Sequence, residues 1–376
     1  MKVLIITTSC NPFGGGFPLR VHSLAQMCSQ IAQVSVLSTF DPDVPAIAGV
    51  KFHHRLFPEG LSSRIKRLTS YYRTSFKPIG IDEQPDIIQV EHPSLFALAA
   101  QFPGVPVVLD EHNVYWKLAE YEMHRGPTLR RVPLKKTLKG WLLSRATKYE
   151  LAALNRSSHV IVCSTADRDI ILGKLPQLKG RISYIPNCLD IDRYQTSSND
   201  GRIVLFMGSL IYFPNIDAVR IICEDIAPRV NAEFHILGGG SLNMPAPPNV
   251  KFLGRVEDVR PYVQKARVCI APLRYGSGSR LKILEYMAMG KATVSSSKGA
   301  EGLDVVHGEN IIIEDDFNKF AGSIAGLLED NRLCGNIGAQ ARRLIEEKYD
   351  YRLYCETLKA IYLKASREKV GCQVRS

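Results

Sequence analysis

The stretch APLRYGSGSRLKILEYMAMG, residues 271–290, decides how the rest of the chain is read. An apolar strand candidate, Val268–Ala271, runs into Pro272, and Arg274 to Ser279 make a loop that holds Gly276 and Gly278. A helical pattern follows, with Leu281, Leu284 and Ala288 on one apolar stripe. Arg280 and Lys282 fall in its first turn. Cations there oppose the helix dipole, at a cost of roughly a few tenths of a kcal/mol each. A phosphate at the helix start offsets that cost, because backbone amides and basic side chains can hold it together. Glu285 lies three residues after Lys282, on the same face. A plain surface Lys–Glu pair is the alternative, and the glycine loop beside it favours the anion site.

Outward from this stretch, strand-like and helix-like segments alternate along the whole chain. Val3–Thr8, Val34–Ser38, Ile87–Val90, Val105–Leu109, Val160–Ser164 and Ile182–Ile185 are strand candidates in the first half. Ile203–Met207, Glu233–Leu237, Val250–Leu253, Thr293–Ser296 and Ile311–Ile313 continue the series. Helical patterns run through Leu24, Met27 and Ile31, over about 131–155, over Ile216–Val230 and through the tail from 331 to 369. Near-continuous apolar strands, rather than alternating ones, predict parallel sheets covered on both faces. The polar run QTSSNDG, 195–201, reads as a linker. Two doubly wound α/β domains are therefore expected.

The 376 residues, 45% hydrophobic and 23% charged, exclude a disordered or fibrous chain. The start is too short in apolar residues for a signal peptide, and no stretch approaches the length of a membrane span. Nine cysteines are scattered singly with no C-x-x-C pair, which predicts reduced thiols in a cytosolic protein and no zinc cage. No metal-ligand constellation is evident. The net charge is +11, and residues 1–195 hold +8 of it. The stretches 64–77 and 125–148 carry five and eight basic residues and no acidic ones. Tyr71, Tyr72, Phe76, Trp141, Leu142 and Leu143 interleave these charges. An anionic membrane surface fits that pattern; a solvated helix face with Trp141 turned into the core is the alternative. Nucleic acid is not expected, since no recognised binding pattern accompanies the charge.

Ligands of open α/β sheets bind beyond the carboxyl ends of the strands. Two strand ends carry the same dipeptide, Glu91-His92 and Glu111-His112. A histidine there can act as base, donor or orienter near neutral pH. His92 precedes Pro93 and ranks lower. Gly14, Gly15 and Gly16 follow the first strand and precede a helix, a place where backbone can approach a ligand closely. They do not form the spacing of a nicotinamide fingerprint.

With these residues in view, the sequence resembles the GT-B glycosyltransferases, retaining family 4. PLRYGSGSRLKILEYMAMGKATVSSSKGAEGL (272–303) carries the most specific likeness. The glycine loop, DEHN, IPNCLD, MGSLIYFPNIDA and LGRVEDV add to it. The resemblance implies an α/β GT-B architecture of two facing Rossmann-like, doubly wound domains with a cleft between them. It places an acceptor-side domain at 1–190, a nucleotide-sugar domain at 191–351, and a C-terminal helix, about 352–376, packed back on the first. It implies transfer of a sugar from a nucleotide-diphosphate donor with retained configuration, without a metal ion or cofactor. The partners would be a nucleotide sugar and a glycan or lipid-linked acceptor in cell-envelope or exopolysaccharide synthesis. The protein would then be cytoplasmic or peripheral at the inner face of the membrane.

By position, Glu285 matches the second glutamate of the family's E-x7-E motif, which binds the nucleotide ribose. His112 matches the histidine beside the transferred sugar. Gly15, Gly16, Gly208, Val256, Arg274, Gly276, Ser277, Gly278, Arg280 and Lys282 would border the donor. Ser277 stands where the family has its first glutamate, and Ser209 and Pro214-Asn215 stand where it has an arginine and a lysine. Arg280, Lys282 and Arg274 would then carry more of the charge. A nucleotide-sugar epimerase and a non-catalytic nucleotide-sugar scaffold of the same fold remain alternatives.

Overall fold

The apolar runs form strands buried on both faces, and the sheets they build are parallel throughout. The computed structural model describes residues 1–12, 15–39, 46–54, 84–117, 120, 136–197, 200–276 and 280–367. The chain divides into two units, one of residues 1–186 and 351–376, the other of residues 187–350. The change of unit falls at Pro186/Asn187, ahead of the polar run 195–201.

In the first unit, β1 (Lys2–Thr7), β2 (Gln33–Ser38), β3 (Val50–His54), β4 (Ile87–Val90), β5 (Val107–Glu111), β6 (His159–Val162) and β7 (Ile182–Tyr184) form one sheet. Its order is β3-β2-β1-β4-β5-β6-β7. The winding reverses between β1 and β4, so the carboxyl ends of these strands frame a crevice where side chains converge. Helix α1 (Gly16–Ser29) follows β1, and α2 (Lys136–Arg156) and α3 (Thr165–Lys174) flank β6. β5 runs two residues further than its apolar run suggests. Asp110 and Glu111 are therefore strand residues, fully buried, and they point to opposite faces of the sheet. β3, with the mixed sequence VKFHH, has no apolar run to announce it.

In the second unit, β8 (Ile203–Met207), β9 (Glu233–Leu237), β10 (Val250–Gly254), β11 (Val268–Ala271), β12 (Ala292–Ser295) and β13 (Ile312–Ile313) form a sheet of order β10-β9-β8-β11-β12-β13. The reversal here lies between β8 and β11. Helices α4 (Phe213–Ile221), α5 (Leu281–Ala288), α6 (Phe317–Glu329) and α7 (Asn331–Lys348) cover it. α4 is shorter than its apolar pattern suggests, because Ile222–Ile226 widens into a π turn and Pro228 follows in a 3-10 turn. The last helix, α8 (Cys355–Arg367), returns to the first unit and buries Leu358, Ile361, Tyr362 and Ala365, the stripe of an amphipathic helix.

α7 contains two glycines, and packing explains one of them. A Cβ on Gly338 would lie 2.1 Å from the carbonyl oxygen of Gly290, which closes α5 in the left-handed conformation (φ +67°). A Cβ on Gly335, which is exposed, would meet nothing within 4 Å. The two substitutions should therefore have opposite signs. Gly335→Ala should stabilise by about 0.5–1 kcal/mol through helix propensity. Gly338→Ala should destabilise by roughly 1–3 kcal/mol through overpacking. Urea unfolding of the two variants checks this.

Candidate active site

In the second unit the site begins with backbone packed on backbone. A Cβ on Gly238 would lie 2.0 Å from the Gly208 carbonyl oxygen, and one on Gly208 would lie 2.6 Å from Asn215. Only glycines let the ends of β8 and β9 and the start of α4 approach this closely. The Met207 N–H donates to the Tyr286 hydroxyl at 2.8 Å, which ties α5 to β8. Asn215 donates through Nδ2 to the Ser209 carbonyl (3.0 Å) and accepts at Oδ1 from Lys282 Nζ (2.8 Å). The same ammonium lies 4.3 Å from the centroid of the Phe206 ring.

Lys282 is thus half-buried and aimed, not on an exposed face as the helical pattern suggests. Burial pushes its pKa down to about 7, with the Arg280 charge adding to the shift. Arg280 occupies the N-cap position of α5 and supplies no side-chain cap, so the first-turn amides keep their anion-binding capacity. Arg274 is committed elsewhere: its guanidinium grips the buried Asp217 with two bonds, Nε at 2.9 Å and Nη2 at 2.5 Å. Gly276 holds φ +124°, and Ser277, Gly278 and Ser279 lie outside the described residues.

Glu285 is half-buried and accepts at Oε1 from the Tyr194 hydroxyl at 3.3 Å. Burial pushes its pKa up to about 7, against the Tyr194 bond and the Arg193 charge. Val256 is half-buried two residues before Asp258, which Arg260 grips through Nε and Nη2. Lys282 and Arg280 therefore stand at one end of α5's first turn and Glu285 one turn further on. Sequence reasoning missed Asn215 and Tyr194. The dipeptide Pro214-Asn215 is noticeable only as a missing cation, although its amide is what orients Lys282.

In the first unit, Gly15 holds φ +105° and Gly16 opens α1; Gly14 lies outside the described residues. His92 is a cap. Its Nδ1 accepts from the Ser94 N–H at 3.1 Å, and burial pushes its pKa down to about 3. His112 sits in a buried ionic cluster. Its Nε2 lies 3.0 Å from Asp110 Oδ2 and 3.1 Å from Glu91 Oε2. Arg20, from α1, donates to both Asp110 oxygens (Nε 2.7 Å, Nη2 2.6 Å). Its Nη1 donates to the carbonyls of Ile185 and Pro186. Phe17 stacks on the imidazole at 4.4 Å. Burial alone would lower the His112 pKa, but Asp110 and Glu91 outweigh it and raise it.

Glu91, Asp110 and His112 bring one ligand atom each within 4.8 Å, a group that could hold a metal ion by distance and that the sequence does not reveal. Arg20 balances one of the two carboxylates, and the imidazole balances the other when it is protonated. Asp110 and His112 share the end of β5, but Glu91 follows β4 and Arg20 lies in α1, so no local spacing marks the group. Arg20 is the one member with a sequence signal: it is a lone cation in the buried run Leu19–Ala25.

Comparison with known proteins gives the family and the fold. Residues 14–193 match the model of Glycosyltransferase Family 4, and residues 201–330 match that of Glycosyl transferases group 1. The chain belongs to the group 1 glycosyltransferases. No curated protein matches it in a sequence comparison. Among solved structures it is similar to HepE of Anabaena in complex with UDP and glucose, at 18% identity and TM-score 0.65, covering 96% of this chain and 98% of that one. Sucrose-phosphate synthase from Thermosynechococcus elongatus matches at 16% identity and TM-score 0.71, covering 97% and 99%. A variant of S. aureus TarM in complex with Fondaparinux, alpha-GlcNAc-glycerol and UDP matches at 13% identity and TM-score 0.69, covering 96% and 99%. These likenesses establish the GT-B fold, with its two Rossmann-like α/β units.

On the opposite face of β5 from Asp110, this glycosyltransferase buries a second carboxyl. Among the described residues, neither Glu111 oxygen has a hydrogen-bond partner. Burial raises the Glu111 pKa well above its usual value, and the charges of Glu150, Asp110 and Asp167 raise it further. Glu150, which accepts from the Tyr115 N–H at 2.8 Å, is pushed up by burial to about 8. The folded state therefore binds more protons than the unfolded chain above pH 4.5, and stability falls as pH rises through the raised values. Glu111→Gln removes the larger part of that loss. Its thermal midpoint should exceed that of the wild type at pH 8, and the gain should shrink to near zero at pH 5. Calorimetry at the two pH values tests the assignment.

Proposed function

We propose that the protein transfers a sugar from a nucleoside diphosphate sugar to a glycan or lipid-linked acceptor with retention of anomeric configuration, in cell-envelope or exopolysaccharide synthesis. The observation that carries this reading is Lys282, held by Asn215 at the uncapped start of α5. An ammonium with a pKa near 7 gains its proton as an anion approaches, so its charge strengthens where the leaving diphosphate becomes more negative. Arg280 and the first-turn amides share that task, and Glu285 with Tyr194 offers acceptors to the ribose hydroxyls. The UDP present in the HepE and TarM complexes supports a uridine nucleotide as the first donor to test. Retention rests on the match of Glu285 to the family's E-x7-E motif. His112 is the group assigned to the sugar in the transition state. Cations and helix dipole take the place of a metal ion in this scheme, and no cofactor takes part.

A panel of radiolabelled nucleotide sugars, incubated with and without lipid-linked acceptors, tests the proposal. Transfer with retained configuration by NMR, undiminished by EDTA, is expected. Lys282→Met keeps the stem over Phe206 and should lower kcat/KM roughly 10–100-fold, the loss of charge-assisted bonds worth about 1.5–3 kcal/mol. Hydrolysis or epimerisation without transfer would refute the reading, as would normal turnover by Lys282→Met.

We further propose reversible attachment to an anionic membrane. In α2, Trp141 is 52% exposed and not in the core, and the Arg145 guanidinium lies 4.9 Å over its ring. Ser144, Arg145 and Lys148 are exposed beside it. Residues 64–77 and 125–135 lie outside the described residues. Among the described residues no helix is long and apolar enough to cross a membrane. Each cation near such a surface contributes about 1 kcal/mol. Co-sedimentation with anionic but not neutral vesicles, released by salt and weakened by Trp141→Ser, is expected; equal recovery in the supernatant with both lipids at low salt would end the idea.

A further inference from the structure

The cluster around His112 does not stop at its two carboxylates. Glu91 is completely buried, and its second oxygen, Oε1, accepts from Gln89 Nε2 at 2.5 Å. Gln89, also completely buried, accepts at its own Oε1 from the hydroxyl of Tyr362 at 2.5 Å. Tyr362 belongs to α8 and is followed 3.6 Å away by Cys28 Sγ of α1. A continuous line of hydrogen bonds thus runs from the C-terminal helix to the imidazole, wholly inside the first unit.

The donors along this line fix one direction. The tyrosine hydroxyl has one proton and two neighbours; the 2.5 Å contact gives it to Gln89 Oε1 rather than to Cys28 Sγ at 3.6 Å, which turns the Gln89 NH2 toward Glu91. Glu91 Oε1 is thereby an acceptor. Oε2 and Asp110 Oδ2 both face His112 Nε2, and Asp110 is itself held as an acceptor by Arg20. Two acceptors at one ring nitrogen require that nitrogen to carry hydrogen. The other nitrogen, Nδ1, bonds no protein group among the described residues. The Cys163 thiol holds the His112 carbonyl at 3.3 Å, and Phe17 covers one ring face. Backbone, ring plane and tautomer are each fixed by a different contact.

We infer that Tyr362, Gln89 and Glu91 are positioning residues for His112, so that the C-terminal helix sets the ring tautomer and orientation that present Nδ1 to the transferred sugar. The inference rests on the sugar-facing role given to His112 above. It goes beyond that role in making the last helix part of the reaction machinery and not only a cover for the first unit. Charged and titratable groups facing the imidazole are Glu91 from β4, Asp110 from β5 and Arg20 from α1, with His92 next to Glu91.

The test uses the full chain and its donor in steady-state turnover, with kcat taken per folded molecule. Tyr362→Phe removes one oxygen; it should lower kcat about 3–10-fold and leave the donor KM within about twofold. Glu91→Gln should lower kcat roughly 100-fold, within the range of a misplaced acid–base group. In a His112→Ala background, Tyr362→Phe should cause no further loss. Nitrogen-15 NMR of the histidines, followed upward in pH until the His112 ring is neutral, should show the neutral ring protonated at Nε2 in the wild type and a mixture of tautomers in Glu91→Gln. A merely structural role would lower the thermal midpoint of Tyr362→Phe and leave kcat unchanged, and that result overturns the inference. So does a His112 tautomer protonated at Nδ1 alone in the wild type. Undiminished turnover by His112→Ala would instead remove the role of His112 itself. An inactive His112→Ala beside fully active Tyr362→Phe and Glu91→Gln would overturn the relay alone.

Discussion

Everything in the first unit is arranged around the burial of Arg20, Asp110, Glu91 and His112 in one cluster. Each ion taken from water costs several kcal/mol, and mutual attraction offsets this only when geometry is good and the remaining donors and acceptors are filled. The cluster meets that condition with two bonds from Arg20 to Asp110, two carbonyls on the far side of the guanidinium, and an amide on Glu91. Two carboxylates face a guanidinium and an imidazole, so the charge closes to zero when the imidazole is protonated. That demand explains why α1, β4, β5 and α8 must all meet at the same place, although they are remote in sequence.

The second unit solves the opposite problem. Its strand ends and first helical turn gather cations that are not balanced in the same way. Arg274 is paired with Asp217, but Lys282 makes no ion pair among the described residues and is held by a neutral amide and an aromatic face. Burial, with the Arg280 charge, depresses its pKa to about 7 against the opposing Glu285 charge, so the site favours the arrival of further negative charge. A charge-balanced cluster is suited to holding a group still; an unbalanced one is suited to receiving a ligand. The same topology, a sheet that reverses its winding beside its first strand, thus supports two different electrostatic designs.

Much of this was legible in the sequence. The apolar runs of β1, β4, β8 and β11 are buried on both faces and read as parallel strands without ambiguity. The cations opposing the dipole of α5 favour a phosphate over a plain surface Lys–Glu pair, because they cost stability where they stand and a glycine loop lies beside them. What could not be read is whatever depends on remote partners. Asp110 and Glu111 look like the polar end of a strand, since nothing near them shows that Arg20 lies 90 residues earlier. Lys282 looks exposed because Phe206 and Asn215, which cover it, come from a different strand and helix. β3 escapes notice because VKFHH alternates too weakly to mark a strand, and its place is set by pairing with β2.

Glu111 shows how the two levels meet. Its neighbour Asp110 is compensated and its neighbour His112 is held by two carboxylates, yet Glu111 itself finds no hydrogen-bond partner among the described residues. In a parallel strand, consecutive side chains must point to opposite faces, so a sequence that needs Asp110 and His112 on one face has only the intervening position free to choose. An apolar residue there would satisfy the fold. The retained carboxyl lies against Glu150 and Asp167, and burial keeps it protonated well above the usual carboxylate range. The instability this introduces arises on the face of β5 opposite the His112 cluster. It makes the stability of the first unit pH-dependent from the same strand that holds the imidazole in place.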